Sequence, residues 1–281
     1  MNDNYSYQLG KKVYDLSTRT HVMGILNITP DSFSDGGKFM NLDAAVFHAK
    51  QMELDGVDFI DIGGQSTRPG AEEVSVEEEL KRVIPVIKAL AGNIKTPISV
   101  DTYRSQVADE ALSNGALIVN DISAFNFDKD MAEVIAKHNA TAVAMHIKGT
   151  PKDMQNAPQY DNLMGEIIQY FENAAWKANV AGIKQLIFDP GIGFGKTVEH
   201  NLKILKHLSE MKRLDTPIMI GVSRKSMIAK LLNNEDINDR HEGTITLNAI
   251  GVLNGAHIIR VHDAKEGVRT AKILDAFRRA E

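Results

Sequence analysis

A (β/α)8 barrel is the fold this chain predicts, and three observations predict it. Eight short apolar runs recur along the chain, the spans between them carry helical periodicity, and nearly every run ends in residues capable of chemistry. Continuous β-branched runs read as strands buried on both faces, as in a parallel sheet. Strand and helix in alternation build right-handed βαβ units. An open doubly wound sheet uses the same units. Eight strands with polar ends favour closure instead, because a barrel gathers its C-terminal strand ends onto one rim, where active sites are built.

Taken in order, residues 5–17 predict a short hairpin turning at Leu9-Gly10-Lys11-Lys12 and covering the barrel bottom. The strands are predicted at 21–28, 59–62, 97–100, 117–119, 142–145, 186–188, 218–222 and 257–259. They run into Asn27, then Gly63-Gly64-Gln65-Ser66-Thr67-Arg68, Asp101, Asn120-Asp121, His146 (after Met145), Asp189-Pro190-Gly191, Ser223-Arg224-Lys225-Ser226 and Arg260-Val261-His262-Asp263. Helical pattern fills 42–55, 76–90, 105–113, 130–138, 160–180, 199–214, 226–232, 241–254 and 264–279. Glu77, Glu78 and Glu79 open the second of these, where the helix dipole favours acids. With no linker, low-complexity tract or composition step, residues 1–281 predict a single domain, with 1–20 as its hairpin segment.

Composition narrows the function. There is no cysteine, which removes thiolate metal sites, disulfides and a cysteine nucleophile. A net charge of -5 argues against a nucleic-acid partner. No signal-peptide pattern and no apolar run of bilayer length are seen, so the expectation is a cytoplasmic protein without a membrane role. Arg68, Arg224, Lys225, Arg260 and His262 all fall at predicted strand ends, and a cationic mouth on an acidic body suits an anionic substrate.

Two familiar motifs fail. Residues 190–197 approach a P-loop, but Pro190 stands where its first glycine must be, and Lys196 blocks the last glycine of G-x-G-x-x-G. His241-Glu242 opens a zincin-like pattern that Ile245 breaks. Gly191, Gly193 and Gly195 are better read as a strand-to-helix loop hugging a ligand.

Five segments in order, taken together, resemble the dihydropteroate synthase family. They are the stretch from Met23 through Asn27 and Asp31-Ser32-Phe33-Ser34 to Gly37, then Asp61-Ile62-Gly63-Gly64-Gln65-Ser66-Thr67-Arg68-Pro69-Gly70, the loop from Asp189 to Lys196, Ser223-Arg224-Lys225-Ser226, and Arg260-Val261-His262-Asp263. The resemblance covers nearly the whole chain. It departs at Gln65, where the family usually carries glutamate, and in the turn at 121–125.

The resemblance implies displacement of diphosphate from a dihydropterin-methyl diphosphate by 4-aminobenzoate. It implies pterin contacts from Asp101, Asn120, Met145, Asp189, Lys225 and Arg260, with Asp101, Asp189, Lys225 and Arg260 carrying the chemistry. Asn27 is expected to hold magnesium and, with Arg68, Arg260 and His262, the diphosphate. Phe33, Ser34, Thr67, Pro69, Phe194 and Ser226 are expected around 4-aminobenzoate. Loops 29–39 and 63–71 are expected to close over both substrates, and a homodimer through outer helices near the C-terminus is implied. Rival readings share part of this pattern: a pterin-dependent methyltransferase would need neither Asn27 with magnesium nor Arg68 and His262, and a Schiff-base aldolase would use Lys225. A non-catalytic pterin-binding module would leave the phosphate-seeking residues without work.

Overall fold

The computed structural model describes residues 5–28, 38–68, 70–234, 236 and 239–280. Phe33, Ser34 and Pro69, with most of loop 29–39, lie outside the described residues.

Strands β1 (Ser6–Leu9) and β2 (Lys12–Asp15) pair antiparallel as a hairpin. Eight parallel strands follow: β3 (His21–Asn27), β4 (Phe59–Gly63), β5 (Ile98–Asp101), β6 (Ile118–Asp121), β7 (Thr141–Met145), β8 (Gln185–Asp189), β9 (Met219–Ile220) and β10 (Ile258–Val261). Between and after them come α1 (Lys38–Asp55), α2 (Val76–Leu90), α3 (Ser105–Ser113), α4 (Met131–Lys137), α5 (Leu163–Ala181), α6 (Val198–Lys206), α7 (Ser226–Leu232), α8 (His241–Leu253) and α9 (Ala264–Arg279). The sheet runs β8-β7-β6-β5-β4-β3-β10-β9. A parallel bridge from Phe188 to Ile218, with Phe188 N–H donating to Pro217 O at 2.9 Å, brings β8 against β9 and closes the ring. The chain is an eight-stranded barrel wrapped in helices.

Side-chain parity sorts the core into two parts, because alternate residues of a strand face opposite sides. Val22, Ile60, Ile62, Val100, Val119, Ala142, Phe188, Ile220 and Ile259 point outward and pack with the helices. Met23, Phe59, Ile118, Val143, Ile187, Met219 and Ile258 point inward and form one layer at the N-terminal end. Tyr7, Leu9 and Leu16 join that layer, and Tyr7 OH donates to Leu186 O at 2.6 Å. The hairpin therefore seats on the end opposite the chemistry-bearing residues. One step further along, the inward positions turn polar: Asp61, Ser99, Asp101, Asn120, Asp189 and Arg260.

Local differences from the expected elements have physical causes. The helix expected over 199–214 is α6 followed by a 3-10 helix, Leu208–Leu214. Its buried residues Leu208 and Met211 are three apart, the spacing that a three-residue turn aligns. The helix expected from 160 starts at Leu163 under an Asn162 cap, which leaves Tyr160 free to donate its OH to Gly195 O at 2.8 Å. The strand expected over 218–222 pairs regularly only at Met219 and Ile220. No helix among the described residues is long and apolar enough to cross a membrane.

Candidate active site

Consecutive register partners across β3 to β6 line up Asn27, Gly63, Asp101 and Asn120 on the C-terminal rim. Gly63 keeps the row open: a Cβ there would lie 3.6 Å from both Asn27 Oδ1 and Asp101 Cβ. Gly221 does the same across the mouth, since its Cβ would lie 3.9 Å from both Asp189 Oδ2 and Arg260 Cβ. Two glycines thus leave room where four functional side chains meet.

Arg260 is the hub. Its Nε donates to Asp61 Oδ2 at 2.6 Å and its Nη2 to Asp101 Oδ2 at 2.7 Å. Asn120 Nδ2 donates to the same Asp61 oxygen at 2.9 Å. Asp189 Oδ1 accepts from Gly191 N–H at 2.7 Å. Lys225 Nζ donates to Ile192 O and stands 4.7 Å from the centre of the Phe194 ring. Phe194 also packs on the cluster of Ile122, Met145, Ile147 and Met154, which joins it to Met145 on the apolar wall.

Burial sets the charges. It pushes Asp101 up to about 7, against the pull of Arg260, and raises Asp189 against Lys225 and the Gly191 N–H. Burial lowers Lys225 to about 8, opposed by Asp189. His262 is pressed down to about 3 by burial and then by Arg260 and Arg224, so it is neutral here. Its Nδ1 lies 3.0 Å from Ser223 Oγ. Arg224, in a left-handed conformation, is spent on Asp263, bonding through Nε and Nη2. The expected cationic mouth is therefore partly neutralised: Arg224 and Arg260 are paired and His262 is uncharged. Thr67 is half-buried, while Arg68 and Ser226 are exposed.

Two glycines of the loop after β8 are required by a neighbouring loop. Gly191 (φ 66°) and Gly195 (φ 65°) lie so close to the 146–148 segment that a Cβ would come within 2.0 Å of His146 O and 2.3 Å of Lys148 O. These two hug the neighbouring loop, while Gly193 (φ 87°) faces the site, where a Cβ would lie 3.2 Å from Lys225 Cδ. Lys196, 2% exposed, fastens the two loops: its Nζ reaches His146 Nδ1 at 2.8 Å, His146 O at 3.3 Å and Phe194 O at 2.8 Å. Gln65 Nε2 donates to Tyr103 OH at 2.9 Å, and Tyr103 donates on to Glu73 at 3.0 Å. Arg82 holds Gly64 O at 2.9 Å. These bonds brace the loop that carries Thr67 and Arg68.

Asp61, Lys196 and His146 went unassigned in the sequence reading. Asp61 had a signal: a carboxylate inside a run buried on both faces requires a buried partner. A cleft of about 590 Å³ at the opposite end, between hairpin and barrel, holds the Arg19–Asp58 pair, and its Glu53 Oε1 caps the amides of Lys95 and Thr96.

A family model described as a pterin binding enzyme matches residues 23–262. A dihydropteroate synthase of Synechocystis sp. is 48% identical over 271 residues, covering 96% of this chain and 94% of that one. The chain belongs to the dihydropteroate synthase family. The Yersinia pestis dihydropteroate synthase, solved as a sulfonamide drug complex, is 45% identical with a TM-score of 0.92, covering 98% of this chain and all of its own (100%). The Xanthomonas albilineans dihydropteroate synthase, solved with 4-aminobenzoic acid, is 37% identical with a TM-score of 0.92, covering 99% and 100%. Dihydropteroate synthases are transferases, and so is this chain.

Proposed function

We propose that this chain joins 6-hydroxymethyl-7,8-dihydropterin diphosphate to 4-aminobenzoate, giving 7,8-dihydropteroate and diphosphate. One observation carries the reading: Asp61, Asp101, Asn120 and Arg260 form one bonded set, with Asp189 across Gly221 from Arg260 and Lys225 near enough to feel the charges of Asp189, Arg260 and Asp101. Family membership and the relative that holds 4-aminobenzoic acid support the substrate pair.

Each part of the reaction has residues suited to it. Asp189 accepts paired N–H groups from the pterin's amino-pyrimidinone edge, and Asn120 and Asp101 complete the match. A ligand lacking those groups would leave buried polar atoms unpaired. Arg260 lies flat on the ring as a planar cation, Met145 and Phe194 supply apolar wall, and Lys225 meets the pterin carbonyl. Arg68 and His262 face the leaving diphosphate, whose negative charge favours a protonated His262 against the burial and nearby cations that hold it neutral. Thr67, Phe194 and Ser226, with Phe33, Ser34 and Pro69, take 4-aminobenzoate.

Asn27 fits magnesium in one respect: its neutral amide oxygen borders the space Gly63 leaves open, a hard donor suited to an ion that keeps its waters and binds mainly to substrate phosphates. Bound there, it supplies charge neutralisation for the leaving group.

The path we propose is dissociative. The methylene C–O bond breaks with its electron pair going to diphosphate, leaving a pterin-methyl cation that Asp101 and Asp189 stabilise. The aminobenzoate nitrogen then forms the C–N bond and gives its proton to diphosphate or water. The decisive assay follows diphosphate release from purified protein with both substrates, with magnesium and with a chelator. Magnesium-dependent release with both substrates present is expected, and none would refute the reading. A secondary deuterium isotope effect at the methylene well above unity is expected of the cation, and one near unity would point to direct displacement.

We also propose a cytoplasmic homodimer. Exposed Leu231 and Leu232 on α7, Ile250 and Leu253 on α8, and Ile273 and Phe277 on α9 support the outer C-terminal helices as its contact face.

A further inference from the structure

We infer that Asp61 is the positioning residue of the pterin cradle: it sets the sense of the Asn120 amide and the plane of the Arg260 guanidinium. The inference rests on the reading of Asn120 and Arg260 as pterin contacts.

Asp61 is 0% exposed and points into the barrel from β4, directly above the apolar layer that contains Phe59. A carboxylate only accepts, whereas an asparagine amide has one donating and one accepting end. Because Asn120 Nδ2 is committed to Asp61 Oδ2, Asn120 Oδ1 stays turned away from Asp61 as an acceptor. The polarity of the cradle at Asn120 is thus decided by a residue beneath it. The same Asp61 oxygen takes Arg260 Nε, while Asp101 takes Nη2. Two carboxylates on neighbouring strands hold two corners of one planar group, and a plane held at two corners cannot swing about either.

Asp61 and Asp101 share the neutralisation of Arg260. Charge alone fixes no direction, and a second fully buried carboxylate carries its own desolvation cost. Asp61 Oδ1 has no hydrogen-bond partner among the described residues, so the carboxylate is not there to satisfy surrounding donors generally. What its other oxygen does is hold two donors from two separate strands in fixed directions.

The test is a double-mutant cycle read as the dissociation constant for 6-hydroxymethyl-7,8-dihydropterin diphosphate with magnesium. Asp61→Ala and Asn120→Ala are each expected to weaken binding by about tenfold or more, the scale of one hydrogen bond to a charged group. Together they should weaken it by clearly less than the product of the two. Full additivity, or native affinity in folded Asp61→Ala, overturns the inference. Native affinity in Asn120→Ala instead overturns the cradle reading on which it rests.

A charge-conserving swap covers the case in which Asp61→Ala does not fold. Asn120→Asp alone sets two carboxylates against each other and should lose binding. Asp61→Asn combined with Asn120→Asp restores a donor facing an acceptor at Asn120 and still offers an acceptor to the pterin. The new amide N–H meets Arg260 Nε in place of the shared oxygen, so the swap should recover part of the affinity lost in Asn120→Asp. A swap no better than Asn120→Asp alone refutes the positioning role, because a general loss of packing would not be repaired by reversing one hydrogen bond.

Discussion

Asp101 and Lys225 are pushed towards neutrality by the same burial, and this gives the site its pH dependence. Both work as ions. Asp101 loses its charge as pH falls through about 7, and Lys225 loses its charge as pH rises through about 8. The kcat/KM profile for the pterin substrate should therefore be a narrow bell, with limbs near those values, since that ratio reports the free enzyme. A flat profile from pH 6 to 9 would contradict this. The sign for stability is opposite to that of an ordinary surface ion pair. With its folded pKa raised, Asp101 stabilises the fold at low pH, and that share is lost as pH rises through about 7. With its folded pKa lowered, Lys225 contributes fully only above its unfolded value, and that share is lost as pH falls through about 8. Between the two limbs the empty protein carries both penalties. Residue identity at the rim was legible: Asp101, Asn120, Asp189, Lys225 and Arg260 all stand at or just beyond strand ends in the sequence. Their charge states were not, because desolvation depends on neighbours that only folding supplies. His262 and Arg224 make the point, one silenced by burial and then by nearby cations, the other consumed by Asp263.

At the scale of elements, the loop after β8 is held by close approach of backbone to backbone. Gly191→Ala would combine the strain of a left-handed residue, about 1–2 kcal/mol, with a Cβ inside the radius of His146 O. Gly92 is also left-handed (φ 78°), but a Cβ there meets nothing within 4 Å. Gly92→Ala should therefore cost about 1–2 kcal/mol of strain alone, and Gly191→Ala clearly more, with loss of pterin binding as the Phe194 loop shifts. Denaturant midpoints and pterin titration of the two variants check this, and equal costs would refute it. The sequence marked these glycines as unusual and could not say what they approach, since His146 and Lys148 are more than forty residues away. The helix expected over 199–214 teaches the same lesson: apolar spacing located the segment, and packing of Leu208 and Met211 decided its pitch.

For the whole molecule, closure separates stability from chemistry along the barrel axis. The apolar inward layer and the hairpin occupy one end, and the polar inward layer occupies the other. Leu16→Ala, at a site 1% exposed, should cost about 2–5 kcal/mol as a buried truncation, while the KM for each substrate stays unchanged. Urea unfolding and steady-state kinetics test both halves, and a shifted KM would mean that the two ends are coupled. Sedimentation should show a dimer that Phe277→Asp or Leu253→Asp dissociates. A monomer in the unaltered protein would remove the assembly proposed above.

Apolar runs, helical spacing and the residues that end each run are local properties, so the chain by itself determined a parallel barrel, its hairpin and the identity of most rim side chains. Which of those side chains bond to one another, which keep their charge, and that Asp61 lies beneath the cradle were decided only by tertiary structure. The physical reason is distance. Ion pairing and desolvation act over a few ångströms between strands up to 199 residues apart in the chain, as from Asp61 to Arg260, and no periodicity within one strand encodes that meeting.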